Sequence, residues 1–262
     1  MGHSTWFLPS GDALEPSLLP GAIAKGAVPA GFLEADESMQ AGLEVNGQAK
    51  NYLRWIQELC QPHLGRRVLE VGSGRGDLTA GFAENRTLVA TDCSQTNLTH
   101  LRQRFGNDPN IEVEALDAAK YSPRELFDSV VMINVLEHIE DDVAALRRLA
   151  TGLAVGGKIV LYVPAFAALY SPWDAKIGHF RRYTAASLAG TVRAAGLRPT
   201  ELRYVNAFGA VMWFTFCRML RQEPAQTWVV RSWDKVALPV LHAVERRVSP
   251  PFGISVFCVA ER

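Results

Sequence analysis

Between Val68 and Thr79 the chain reads VLEVGSGRGDLT, a short apolar stretch that runs into glycine at every second position. Few folds accommodate such a segment. An apolar run rich in Val and Leu suits a strand covered on both faces. Gly72, Gly74 and Gly76 then supply backbone that no Cβ holds away from a ligand. A helix starting directly afterwards presents free N–H groups and the positive end of its dipole. The segment therefore reads as a strand–loop–helix unit of an α/β sheet, with a nucleotide-type cofactor at its glycine loop.

The rest of the chain continues this alternation. Short Val/Ile/Leu-rich runs predict strands at Arg67–Val71, Thr87–Thr91, Ile111–Ala115, Asp128–Ile133 and Gly157–Val163. Helical spacing predicts helices at Gln48–Cys60, Asp77–Glu84, Gln95–Phe105 and Asp141–Leu149. Two further strands, Arg198–Val205 and Ser255–Ala260, bring the expected sheet to seven. The fold class is α/β, a doubly wound and mostly parallel Rossmann-like sheet. Residues 1–45, with closely placed prolines at 9, 16, 20 and 29, read as an N-terminal arm or lid, and 46–262 as one domain. Within it, 206–252 is too long for a connecting loop and reads as a helical insertion before the last strand.

Composition narrows the class. Formal net charge is zero and 21% of residues are charged, so no broad basic surface is expected and no nucleic-acid partner. Cys60, Cys93, Cys217 and Cys258 show no CxxC spacing, so neither a disulfide framework nor a metal site is expected. Reduced thiols and a start without a secretory pattern suit a cytoplasmic protein. The longest apolar run, Ala207–Cys217, is shorter than the ~18–20 residues of a transmembrane helix.

Two cofactor classes compete for the glycine loop. A dinucleotide fingerprint, G-x-G-x-x-G, needs glycine where Asp77 stands. Glu70, at the strand end, would repel a pyrophosphate but accept a hydrogen bond from a ligand ammonium. These residues resemble motif I of the class I S-adenosylmethionine-dependent methyltransferases, E/D-x-G-x-G-x-G, and the resemblance extends roughly from Tyr52 to Leu202. In it, LVATDCS is similar to the motif whose acid binds the ribose hydroxyls, which places Asp92 and Cys93 at the cofactor. ALDAAKY is similar to the adenine-contacting turn, with Asp117 and Ala118 at its tip. FDSVVMINVLEHIEDD is similar to the fourth-strand motif, with Asn134, Val135 and Leu136 beside the methionine portion. LAVGGKIVLYVP matches the fifth strand, although Val155 stands where proline is common. The implied cofactor is S-adenosyl-L-methionine, with S-adenosyl-L-homocysteine as product. The implied cofactor residues are Glu70, Gly72, Ser73, Gly74, Gly76, Asp92, Cys93, Asp117, Ala118, Asn134 and Val135.

HFRRYT, after the fifth strand, is similar to the H-x-x-R-Y-T of small-molecule and lipid-precursor methyltransferases. It nominates His179 as a general base, and His138 is the other catalytic candidate. Trp173, Asp174, Arg181, Arg182 and Tyr183 are expected to face the acceptor. Each assignment has a structural alternative. The alternative for Glu70 is a helix-cap partner, for Asp92 an N-cap, for Asp117 a turn residue and for Asn134 an Asx-turn. His138 reads also as a helix-start residue, His179 and Tyr183 as pins for the loop, and the arginines as partners of nearby carboxylates. The implied reaction is methyl transfer to a small-molecule acceptor, with oxygen favoured over carbon and nitrogen. A lipid-linked acceptor at a membrane surface, a nucleotide-dependent oxidoreductase and a non-catalytic cofactor-binding protein are the alternatives. The insertion, apolar on all sides around Val211–Phe216, is expected to be buried core. Its alternative is a lipid-facing surface flanked by Arg218, Arg221 and Arg231. The sequence leaves the oligomeric state open.

Overall fold

The protein is described by a computed structural model, which covers residues 38–44, 47–220 and 227–262. A first helix, α1, spans 38–44. The elements that follow are α2 (Lys50–Cys60), β1 (Arg67–Val71), α3 (Thr79–Phe82), β2 (Thr87–Asp92), α4 (Gln95–Phe105), β3 (Ile111–Ala115) and β4 (Phe127–Ile133). After them come α5 (Asp142–Thr151), β5 (Leu153–Pro164), α6 (Pro172–Lys176), α7 (Ala185–Ala194), β6 (Arg198–Val205), α8 (Ala207–Trp213), α9 (Thr227–Glu245) and β7 (Ser255–Glu261). The rest of the predicted arm, and Arg221, lie outside the described residues.

Seven strands form one sheet in the order β3-β2-β1-β4-β5-β7-β6. Strands β1 to β5 run parallel, and β7 enters antiparallel between β5 and β6. The strand order reverses between β1 and β4. In open sheets of this kind the crevice at that reversal, outside the carboxyl ends of the strands, takes the ligand.

The central strands are buried on both faces, which is why they read as runs rich in Val, Leu and Ile rather than as alternating patterns. Adjacent residues supply opposite layers. Val130 and Met132 join Leu146, Leu149, Leu188 and Val192 on one side. Val131 joins Trp55, Ile56, Leu101, Phe105 and Tyr162 on the other. Each fully buried leucine contributes ~1.5–3 kcal/mol. The expected strands are present, and β5 begins earlier than predicted because Leu153 pairs with Phe127 across a bulge. The helix predicted over Asp77–Glu84 contracts to Thr79–Phe82.

Side-chain caps set the helix starts. The Asp141 carboxylate accepts from Ala144 N at 2.9 Å, and Thr184 and Ser187 form a reciprocal capping box at α7. The insertion is tied to the core in the same way. Asp234, on α9, accepts from Asn51 N and Tyr52 N at 2.9 and 2.8 Å, and Glu245 accepts from Asn206 N and Ala207 N, both at 2.9 Å. Both carboxylates are buried and satisfy main-chain donors that helix starts leave without partners.

One expectation about the insertion is corrected. Ala210 and Cys217 are buried, but Phe208, Val211, Phe214, Phe216, Met219 and Leu220 are exposed. The segment beyond α8, Phe214–Met219, winds as a π-helix. Only its narrow Ala210/Cys217 side meets the core, so its large apolar residues face outward.

Candidate active site

Every residue nominated for the cofactor lies at the carboxyl edge of the sheet, Glu70 and Asp92 at the ends of β1 and β2 and the others on the loops that leave β1, β2, β3 and β4. The glycine loop is held in left-handed backbone, with φ of 71°, 57° and 79° at Gly72, Gly74 and Gly76. Side chains rarely adopt these angles. Space is restricted as well. A Cβ at Gly72 would run into Val135 across the strand reversal, and one at Gly76 would come within 2.5 Å of Phe105 on α4. Gly72 thus keeps bare backbone in the crevice, while Gly76 lets α4 pack closely.

Asp92, at the end of β2, is buried and anchored twice. Its carboxylate accepts from Gly74 N at 2.9 Å and from Ser94 N at 2.8 Å. Burial raises its pKa, and these main-chain donors work against the rise. Ser94, not Asp92, caps α4. Ser73 stitches the loop to β2: its N–H donates to Thr91 O at 2.8 Å, and its Oγ accepts from Thr91 N at 3.1 Å. Cys93 follows Asp92 and is exposed.

Glu70 shows its structural alternative. Thr79 Oγ1, at the start of α3, donates to Glu70 Oε2 at 2.7 Å, the geometry of the structural alternative. Burial pushes the Glu70 carboxyl up to about 7. Asp117 shows its turn role, accepting from Ala119 N at 2.9 Å, and Ala118 beside it is buried. Asn134 takes a left-handed φ of 53°, where asparagine is tolerated, and turns the chain out of β4.

Helix α1 crosses this edge. Gln40 Nε2 donates to Asn97 Oδ1 at 2.9 Å, Glu44 pairs with Arg75 at 3.8 Å, and Leu43 lies against Gly74. Its Gly42 faces Trp173, on the loop after β5. This part of the predicted lid therefore spans the glycine loop and the acceptor-side loop.

The second half of the site is a buried charge network. Asp174 accepts from Arg182 through both oxygens, Nε at 2.7 Å and Nη2 at 3.1 Å, and bonds His179 Nδ1 at 2.7 Å. Burial alone would raise the Asp174 carboxyl, but the bonds from His179 and Arg182 hold it well below the usual carboxylate range. An ionised Asp174 only accepts. His179 therefore donates from Nδ1, and its Nε2 lies 3.8 Å from Glu137 Oε1. His138 stacks edge-on against His179 with ring centroids 4.6 Å apart. Burial and the neighbouring His179 lower His138 to about 4, so it is neutral at physiological pH.

The network corrects part of the acceptor-facing expectation. Asp174, Arg182 and Tyr183 are buried and turned into the loop's own framework. Arg182 lies over the Trp213 ring at 4.8 Å, tying the loop to α8. Tyr183 donates to Asp142 Oδ2 at 2.8 Å, and Arg181 pairs with Asp142 at 3.0 Å. These are the structural alternatives raised for the arginines and Tyr183. His179 and His138 stay partly accessible. Sequence reasoning missed Glu137, which is fully buried with neither carboxylate oxygen hydrogen-bonded and is pushed by burial up to about 8. The available signal was an acid beside His138 in the apolar NVLEHI run.

The residues present fit S-adenosylmethionine. Bare left-handed backbone faces the crevice, and a fixed carboxylate stands at the end of β2. No third-glycine position is open to a pyrophosphate.

Comparison with known proteins agrees. A family model described as a methyltransferase domain matches residues 69–159. The ubiquinone biosynthesis O-methyltransferase of Bordetella avium is 27% identical over 171 residues, covering 58% of this chain and 70% of that one. A probable S-adenosylmethionine-dependent methyltransferase of Mycobacterium tuberculosis is 31% identical over 146 residues, 53% of this chain, and the match spans about half, 52%, of that relative's length. The crystal structure of an S-adenosylmethionine-dependent methyltransferase from Mesorhizobium loti shares the fold, with a TM-score of 0.53 at 18% identity over 77% of this chain and 93% of that one. The motifs, the sheet order and these matches converge: the chain carries a methyltransferase domain and is similar to S-adenosylmethionine-dependent methyltransferases.

Proposed function

We propose that the chain transfers a methyl group from S-adenosylmethionine to a hydroxyl oxygen of a small-molecule acceptor. The observation that carries this reading is the Asp174–His179 pair, with Nδ1 bonded at 2.7 Å and Nε2 left to accept a proton. An alcohol or phenol must lose a proton as its oxygen attacks, whereas a neutral amine can attack before it loses one. Held at the carboxyl edge, S-adenosylmethionine would supply a sulfonium methyl for in-line displacement. The chain's own work is then to orient and to accept the proton. The glycine loop and Asp92 fix the cofactor, and holding two reactants in line contributes up to ~7–11 kcal/mol in the best cases. His179 Nε2 takes the hydroxyl proton, and Asp174 fixes the tautomer and stabilises the imidazolium. The similarity to a ubiquinone biosynthesis O-methyltransferase supports an oxygen acceptor.

The test is transfer of labelled methyl into aqueous and lipid cell extracts, with the labelled products identified by mass spectrometry. O-methyl products that His179→Ala reduces roughly 10²–10⁴-fold, at unchanged S-adenosylhomocysteine affinity, are expected. Labelled products formed equally fast by His179→Ala would remove the proton-accepting role.

A lipid-like acceptor is favoured by one further observation. Val236, Val240 and Val244, spaced at i, i+4 along α9, are 74%, 67% and 56% exposed, and exposed Lys235, Arg246 and Arg247 flank them. An apolar stripe with a basic rim suits the surface of an anionic bilayer. Among the described residues no helix is long and apolar enough to cross a membrane. Co-sedimentation with phosphatidylglycerol vesicles, lost in Val240→Asp, is the expected result. Equal sedimentation of both proteins, or of neither, would return the acceptor to the aqueous pool.

A further inference from the structure

We propose that Glu137, His138 and His179 form a binding site for a divalent transition-metal cation of the zinc class. Its location rests on the reading of the acceptor side given above. The three residues bring one ligand atom each within 4.8 Å of one another, from two separate loops at the carboxyl edge. A tetrahedral ion with bonds of ~2.0–2.1 Å needs ligand atoms about 3.4 Å apart, a closure that side-chain rotation supplies.

Two features separate this cluster from a chance gathering of polar groups. The first is Glu137. Its carboxylate is fully buried, and neither oxygen has a hydrogen-bond partner. The His179 Nε2 atom is 3.8 Å away, too far for a hydrogen bond. Buried polar groups are nearly always satisfied, so such an acid calls for a missing partner. A cation between Glu137 and the two imidazoles would be that partner. The second is the outer layer. Histidines that ligate metals hold their other ring nitrogen on a carboxylate or a carbonyl. His179 has Asp174 on Nδ1 at 2.7 Å, and His138 has a hydrogen bond to the Gly178 main chain. Asp174 is itself fixed by Arg182 and by Ser171 N and Oγ, both at 2.8 Å.

The donor set selects the metal. Two imidazole nitrogens and one carboxylate suit Zn²⁺, Fe²⁺ or Mn²⁺, whereas Mg²⁺ and Ca²⁺ prefer oxygen alone. Three protein ligands leave a coordination position open, as in catalytic rather than structural sites. That position adjoins the cofactor crevice, since Val135, three residues before His138, packs at Gly72. With the ion bound, His179 Nε2 is a ligand rather than the proton acceptor, and an acceptor hydroxyl at the open position would lose its proton to solvent more readily. Sequence spacing hides the site because 40 residues separate His138 from the third ligand, His179.

The test is titration of the chelator-treated full chain with Co²⁺, a spectroscopic stand-in for Zn²⁺, followed by Zn²⁺ displacement. One Co²⁺ per chain, with a visible d–d absorption that Zn²⁺ abolishes, is expected. Glu137→Gln, a near-isosteric change that keeps the buried shape, should weaken binding at least ~10-fold, and His138→Ala should do the same. Asp174→Asn should weaken it ~10–100-fold, as loss of an outer-layer partner does. No absorption in the wild-type chain would overturn the proposal. So would an unchanged titration in Glu137→Gln, or a thiolate charge-transfer band placing the ion at a cysteine. S-adenosylhomocysteine binding measured on the same samples separates this result from the methyltransferase reading, which survives if the cofactor binds and cobalt does not.

Discussion

The two halves of the candidate site are built from different materials. The cofactor half is mostly main chain: three left-handed glycines, stitched at Ser73 and anchored by Asp92 through two N–H donors. The acceptor half is mostly side chain: buried Asp174, Arg182 and Glu137, with the partly accessible His179 bonded to Asp174. The first half tolerates a substitution if the backbone is spared. The second has little tolerance, because the buried charges of Asp174 and Arg182 balance each other. A cofactor common to many enzymes is thus met by generic backbone, and the part that distinguishes this chain rests on one electrostatic network.

Substitutions on each side sharpen this contrast. The largest effect is expected in the charge network. Asp174→Asn leaves Arg182 buried without its counter-charge and should destabilise the fold by about 3–5 kcal/mol, read by urea unfolding. A loss under 1 kcal/mol would mean that water reaches Arg182 and that the network is not closed. On the cofactor side, Asp92→Ala should weaken S-adenosylmethionine binding by ~1.5–3 kcal/mol in calorimetric titration, with the fold largely kept. Unchanged affinity would take Asp92 out of the site.

The smallest effect concerns pH. Burial raises the Glu70 carboxyl to about 7, so the folded chain holds that proton where the unfolded chain, near the ordinary value of ~4.3, has released it. Protons bound preferentially by the folded state make stability fall with rising pH. Glu70's contribution is complete below about pH 4 and is lost as pH rises through about 7. Glu70→Gln should therefore flatten that descent, with a gain on the order of 1–3 kcal/mol above pH 8 relative to pH 4. Parallel stability curves for the two proteins would show that Thr79 already compensates the buried charge.

The same contrast governs what the sequence disclosed. Glycine spacing was legible because left-handed backbone accepts few other residues, and Asp92 was nominated because LVATDCS resembles the family's ribose-binding motif. Glu137 was not, since nothing in its neighbours states that its carboxylate is buried and unbonded. Asp174 was singled out for the wrong direction: the local pattern showed a polar loop but not that Arg182 folds back over it. The insertion was misread at Phe214 and Met219 because a helix apolar on every side has no period to reveal its buried face. Its attachment through Asp234 and Glu245 depends on main-chain donors far away in sequence, at Asn51 and Asn206.

The most direct test of this division is a single series of calorimetric titrations of S-adenosylhomocysteine into the wild-type chain, Asp92→Ala and His179→Ala. One site per chain is expected, weakened roughly 10–100-fold in Asp92→Ala, as ~1.5–3 kcal/mol implies, and unchanged in His179→Ala. Equal affinity in all three, or no binding to the wild-type chain, would contradict a cofactor half built on the glycine loop and Asp92.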